Sequence, residues 1–66
     1  MSLDMVKVPP SPAAQLRRDI RRFGVRRTAR RWQISAGDAL RIAANLVARR
    51  TSVERVLERV LEQVRR

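Results

Sequence analysis

The sequence predicts a small all-α fold of four helices. Apolar residues recur at spacings of three and four along most of the chain, and no alternating apolar and polar pattern is long enough to indicate a strand. With 66 residues, the chain has room for one domain whose core is close to the smallest that folds unaided. We therefore expect a partner subunit to add stability.

Residues 1–12 differ in composition from the rest of the chain. They contain all three prolines and lack a helical apolar repeat. This pattern predicts a flexible N-terminal arm, disordered or extended, followed by a single helical domain over residues 13–66. Two further interpretations of Lys7–Pro10 remain open, namely entry into a DNA minor groove and pairing with a second subunit.

The first two helices are separated by a glycine. The first helix is predicted over residues 13–23, after a cap at Ser11 and a first-turn proline. Gly24 can adopt the left-handed conformation that ends a helix. A short second helix then follows from Val25 to Gln33. The inward-facing residues of the two helices are Leu16, Ile20, Phe23, Val25, Ala29 and Trp32.

Two capping boxes mark the starts of the third and fourth helices. Ser35 and Asp38 have the spacing at which side chains satisfy the first amides of a helix, and Thr51 and Glu54 repeat it. The third helix is expected to end at Arg49 and Arg50, and the fourth spans about 52–66. The predicted apolar stripe of the third helix is Ala39, Ile42, Ala43, Leu46 and Val47.

The fourth helix has an apolar stripe broad enough to face two neighbours. One part can close the core, and the rest can form a homodimer. The residues expected in dimerisation are Val56, Leu57, Val60, Leu61 and Val64.

Charge is the strongest functional signal. The chain has 16 basic and 6 acidic residues, a net charge of +10, and 15 of the 16 basic residues are arginine. Residues 17–31 carry a net charge of +7, whereas residues 51–66 carry only +1. Because arginine pairs well with phosphate and with guanine edges, this distribution predicts a polyanionic partner for the first half and a protein partner for the last helix.

Five residues between Val25 and Ala44 have the spacing of a compact two-helix unit. A small residue allows close approach of the helices, an apolar residue fills the turn, and the others lock the crossing; these are Ala29, Trp32, Ile34, Ala39 and Ile42. With this pattern the stretch resembles the helix-turn-helix of bacterial and phage transcriptional regulators. The departure is Gln33, where that family usually has glycine.

The resemblance implies that the second motif helix enters the major groove while the first meets the DNA backbone. Phosphate contacts are expected from Arg18, Arg22, Arg26, Arg27 and Arg30, and base contacts from Ser35, Gly37, Arg41 and Asn45. Arg41 suits guanine and Asn45 suits adenine. The implied function is a sequence-specific regulator, a repressor of the kind found in phages and mobile elements. It would bind an inverted repeat in double-stranded DNA as a homodimer.

The composition argues against several other classes. The sequence has no cysteine or histidine, and no catalytic nucleophile paired with a general base is visible. We therefore expect no enzyme, metal site or cofactor, and no small-molecule substrate is evident. The sequence lacks the apolar run of about 18 residues that a membrane span needs, so we expect a cytoplasmic, nucleoid-associated protein. A membrane-active role is disfavoured, since the arginines and the main apolar stripe lie on different helices.

Two alternatives remain open. The chain could be an architectural protein that binds DNA or RNA without sequence preference, or an antiactivator or antitoxin that inserts its fourth helix into a partner's groove. For individual residues, Trp32 is expected in the core rather than stacked on a base, and Asp38 is expected to cap a helix rather than contact cytosine.

Overall fold

The computed structural model describes residues 4–65 and contains four helices and two short strands. In chain order these are β1 Met5–Val6, α1 Pro10–Phe23, α2 Val25–Trp32, α3 Ala36–Ala43, β2 Ala48–Arg49 and α4 Arg50–Arg65. The predicted mostly helical fold with four helices is confirmed. Residues 1–3 of the predicted arm and Arg66 of the predicted last helix lie outside the described residues.

The N-terminal segment packs on the domain from Asp4 onward. β1 pairs antiparallel with β2, with Met5 opposite Arg49, and the amide of Arg50 donates to the Asp4 carbonyl at 3.0 Å. Val8 is buried in the core. The prediction of a flexible arm over residues 1–12 is therefore not confirmed where the chain is described. A two-residue strand is too short to show an alternating pattern, so sequence periodicity could not reveal it.

α1 begins three residues earlier than predicted. Pro9 has an extended backbone, and Pro10 opens the helix, so Ser11 lies in the first turn instead of capping it. The residues that α1 buries most deeply are Pro12, Ala13 and Leu16, while Ile20 and Phe23 are only partly buried. Gly24 alone separates α1 from α2, as predicted. Its φ of 87° favours glycine, but its ψ of 159° is extended, so it does not adopt the left-handed helical conformation that was predicted.

α3 is shorter than predicted. It ends at Ala43 rather than at Arg49 and Arg50, because Asn45 turns into the left-handed region with φ at 62°. The amide of Leu46 then bonds back to the Arg41 carbonyl at 2.8 Å, which closes the helix end. The predicted apolar stripe was therefore wrong at its far end, since Leu46 is 56% exposed.

α4 begins at Arg50, so the predicted cap at Thr51 is wrong. Thr51 lies within the first turn and is exposed, as is Glu54. Arg50 also places its Nε atom 2.7 Å from the Asp4 carboxylate. The start of α4 is thus held by the N-terminal segment, a nonlocal contact that local spacing cannot predict.

The core lies where α1, α2, α3 and the first half of α4 meet. Its largest buried side chain is Trp32, surrounded mainly by small and aliphatic residues. The remaining core residues are Val8, Ala13, Leu16, Ala29, Ala39, Ile42, Ala48, Val53 and Val56. With so few large side chains, the core has little stability to spare.

Val8→Asp tests the packing of the N-terminal segment, because it places an unpaired charge in the core. We expect this variant to lose about 3 kcal/mol or more of its free energy of unfolding, which a small domain can scarcely tolerate. Val47→Asp makes the same change at an exposed position and should cost less than about 1 kcal/mol. Urea unfolding followed by circular dichroism checks this; equal stability of the two variants would mean that the segment is not packed.

Candidate nucleic-acid interface

A tight turn of residues 33–35 joins α2 to α3. Gln33 adopts a left-handed conformation with φ at 59° and ψ at 42°. The amide of Ile34 donates to the Ala29 carbonyl at 2.9 Å, and that of Gln33 donates to the Arg30 carbonyl at 3.2 Å. These bonds end α2 in the manner of a glycine cap, although the residue is glutamine. Gln33, the departure from the family pattern, thus adopts a conformation that glycine would take without steric cost.

The start of α3 is capped as predicted and also anchored to α4. The Ser35 hydroxyl accepts from the Asp38 amide at 3.1 Å. The Asp38 carboxylate accepts from the Ser52 hydroxyl at 2.5 Å instead of bonding back to the cap, and it lies 3.6 Å from Nη1 of Arg41. Asp38 is only 2% exposed, so it is unavailable to a cytosine amino group.

One face of α3, continued by the capping residue Ala44, is exposed. Its exposed residues are Gly37, Leu40, Arg41 and Ala44, which we call the outward face. Of the predicted base-contacting residues, Gly37 and Arg41 lie on this face. Ser35 caps the helix at its start, and Asn45 lies beyond its end, so the four are not brought together on one helical surface.

Leu40 and Ala44 were missed by the sequence analysis. Leu40 is 53% exposed and next to Arg41 in the chain. It fell outside the predicted apolar stripe of α3. Its exposure could have been predicted from that position, because a large apolar residue off the core face of a helix is exposed. Ala44 likewise fell outside that stripe.

The exposed arginines of α1 and α2 form a second candidate surface, the basic surface: Arg18, Arg21, Arg22, Arg26, Arg27, Arg30 and Arg31. It includes all five predicted phosphate-contacting residues. Within residues 4–65, none of the seven lies within ion-pair distance of a carboxylate. Their charges are therefore available to a polyanion.

Phe23 connects the two halves of the basic surface. The guanidinium carbon of Arg31 lies 4.5 Å from the centre of the Phe23 ring, and that of Arg22 lies 5.4 Å from it. Both distances allow cation–π attraction. The ring thus brings an arginine of α1 and one of α2 to the same point at the helix junction.

Three other arginines serve the fold. Arg17 donates to the Ala43 carbonyl at 2.8 Å, Arg55 to the Gln33 carbonyl at 2.7 Å, and Arg59 to the Arg31 carbonyl at 2.9 Å. Each satisfies a carbonyl at the end of α2 or α3 that has no partner within its helix. These side chains are therefore less available to an external phosphate than those of the basic surface.

The prediction that Trp32 belongs to the core is confirmed. Its indole is almost fully buried, and Nε1 donates to the Asp19 carboxylate at 2.8 Å. The guanidinium carbon of Arg59 lies 5.3 Å from the indole ring centre. Trp32 presents no free ring face for stacking on a base.

The predicted dimerisation residues of α4 divide into three groups. Val56 is fully buried in the protomer's own core and cannot reach a partner, while Leu57 and Val60 are partly buried against that core. Leu61 is 54% exposed and Val64 is 75% exposed. Only the second half of α4 therefore offers unpaired apolar surface.

Residues 4–65 contain no group of three or more potential metal ligands, and no helix among them has the length and apolarity to cross a membrane. Comparisons of the chain with protein-family models, with curated proteins and with solved structures found no match.

The left-handed turn between α2 and α3 gives a stability test. Gln33→Gly should raise the free energy of unfolding by about 0.5 to 1 kcal/mol, because glycine adopts this conformation without a Cβ clash. Gln15→Gly, in the middle of α1, should lower it by a similar amount. Thermal and urea unfolding of the two variants measure this. A loss of stability in both would show that position 33 is not left-handed.

Proposed function

We propose that this chain is a DNA-binding transcriptional regulator, a repressor, in which α2, the turn and α3 act as a helix-turn-helix. The observation that carries the proposal is the outward face of α3, which presents Arg41 on a helix whose other side is locked into the core. In such motifs the second helix enters the major groove. The role would place the protein at the nucleoid, in the cytoplasm.

The shape of the outward face suits close approach to DNA. Gly37 and Ala44 lie along its centre, one near each end of α3, and neither has bulk that would hold the helix away from a groove floor. Arg41 keeps 52% of its side chain exposed while its guanidinium lies near Asp38. The Asp38 carboxylate limits the conformations of the Arg41 side chain, which favours a fixed contact to a guanine edge.

The basic surface supplies the affinity of the proposed complex. Contacts between arginine and phosphate release counterions and give binding that depends steeply on salt. Arg26, Arg27 and Arg30 lie on α2, next to the proposed recognition helix, and Arg18 and Arg22 extend the surface onto α1. The surface needs no sequence preference of its own, because phosphate contacts position a protein on DNA and base contacts specify the site.

We further propose that two copies associate through the second half of α4. Leu61 and Val64 are exposed there, and Leu57 and Val60 border them with partly buried side chains. Helix pairing would bury this surface and add stability that one small core lacks. A two-fold dimer would place its recognition helices about 34 Å apart for an inverted repeat.

An architectural protein that binds DNA or RNA without sequence preference is the second candidate. One observation favours it specifically: Arg41 is the only long hydrogen-bond donor on the outward face of α3. Such a protein would use the basic surface alone. A sequence-specific regulator should bind its site about 10³-fold or more tighter than random duplex, whereas an architectural protein would not.

DNA titrations at several salt concentrations separate the roles of two arginines. Arg26→Ala should weaken binding to all duplexes and reduce the slope of log affinity against log salt by about 0.9, the value for one lost phosphate contact. Arg41→Ala should lose about 1 to 3 kcal/mol of discrimination at one base pair of the preferred site.

The control is Arg65→Ala, since Arg65 is exposed at the end of α4 and belongs to neither the basic surface nor the outward face. This variant should leave both quantities nearly unchanged. Equal behaviour of the Arg26 and Arg41 variants would contradict α3 as the recognition helix. Absence of binding to any duplex would contradict the proposed function and favour the protein-interaction alternative through α4.

Sedimentation velocity tests the proposed dimer. We expect the wild-type chain to sediment as a dimer at micromolar concentration, and Leu61→Asp to sediment as a monomer because a charge would be buried at the interface. Leu46→Asp changes a leucine of similar exposure in the loop after α3 and should remain dimeric. A monomeric wild-type chain, or a dimer that survives Leu61→Asp, would disprove this interface.

A further inference from the structure

Leu40 is the large apolar residue of the outward face of α3. It is 53% exposed, whereas the core-facing residues of α3, Ala39 and Ile42, are buried. A single exposed leucine is common on protein surfaces, but on the helix proposed to enter a DNA groove it offers apolar surface that a bound base can cover. Leu40 stands beside the small residues Gly37 and Ala44 on the outward face, so its side chain projects beyond theirs.

The charge around Leu40 favours a polyanion over an apolar protein surface. The outward face has no carboxylate, and the one acid of α3, Asp38, is buried. Arg41 is the neighbouring exposed charge, and Lys7 lines the adjoining surface together with Arg41 and Leu46. An apolar side chain beside positive charge suits a ligand that combines negative charge with a small apolar group.

The DNA major groove provides that combination. Phosphates line its rims, and thymine is the base that presents a methyl group at its floor. We propose that Leu40, supported by Ala44, contacts the C5-methyl group of a thymine close to the guanine that Arg41 contacts. Leu40 is then a specificity-determining residue, and each half-site contains a thymine whose methyl group is required. The inference rests on the proposed function and deepens it.

The experiment begins with selection of duplexes from a random pool by the full-length protein. Each thymine of the enriched site is then replaced by deoxyuridine, which removes only the methyl group. At one thymine per half-site we expect the affinity to fall about fourfold, which corresponds to the roughly 0.8 kcal/mol gained on burying one such group. Leu40→Ala should bind the thymine and deoxyuridine sites equally.

Leu46→Ala is the matched control, because Leu46 is a leucine of similar exposure that lies outside α3. It should retain the fourfold preference for thymine. The affinities of the wild-type and variant proteins for the thymine and deoxyuridine duplexes form a double-mutant cycle, so a general loss of affinity in either variant cancels.

The outcomes distinguish this inference from the function on which it rests. An enriched site with no thymine methyl dependence, or a dependence that persists in Leu40→Ala, overturns the assignment of Leu40 and leaves the DNA-binding function standing. Binding without any enriched sequence overturns the inference in favour of an architectural protein. No binding to DNA overturns both, and the apolar surface around Leu40 would then be a protein-docking surface.

Discussion

The buried carboxylate of Asp38 is the contact on which the arrangement of this small domain depends. Its backbone amide donates to the Ser35 cap, its side chain accepts from Ser52 of α4, and Arg41 lies 3.6 Å away. A buried carboxylate is tolerated only with hydrogen bonds and opposite charge, so these partners cannot vary independently. The start of α3, the approach of α4 and the base of the Arg41 side chain are thereby fixed together.

Arginine serves two purposes in this chain. Helices of eight residues, such as α2 and α3, are unstable in isolation, and their terminal carbonyls need partners. Arg17, Arg55 and Arg59 supply them from α1 and α4. The arginines of the basic surface have no such task and leave their charge exposed. The net charge of the chain therefore overstates the charge available to a polyanionic partner, which is concentrated on α1 and α2.

Local chemistry explains why much of the fold was predictable. Four helices follow from apolar spacing, the end of α1 from Gly24, the start of α3 from the Ser35 cap, and the buried Trp32 from its place on a helical stripe. Each of these features depends on residues within a few positions of one another, so their order in the chain carries the information.

The sequence by itself determined the number of helices, the capped turn between α2 and α3, and the concentration of positive charge in the first half of the chain. Only the tertiary structure decided that α3 stops at Ala43, that the N-terminal segment pairs with residues 48–49, and that Leu40 faces outward while Val56 is buried. The physical reason is that strand pairing and burial depend on residues distant in sequence, and periodicity within one segment contains no record of them.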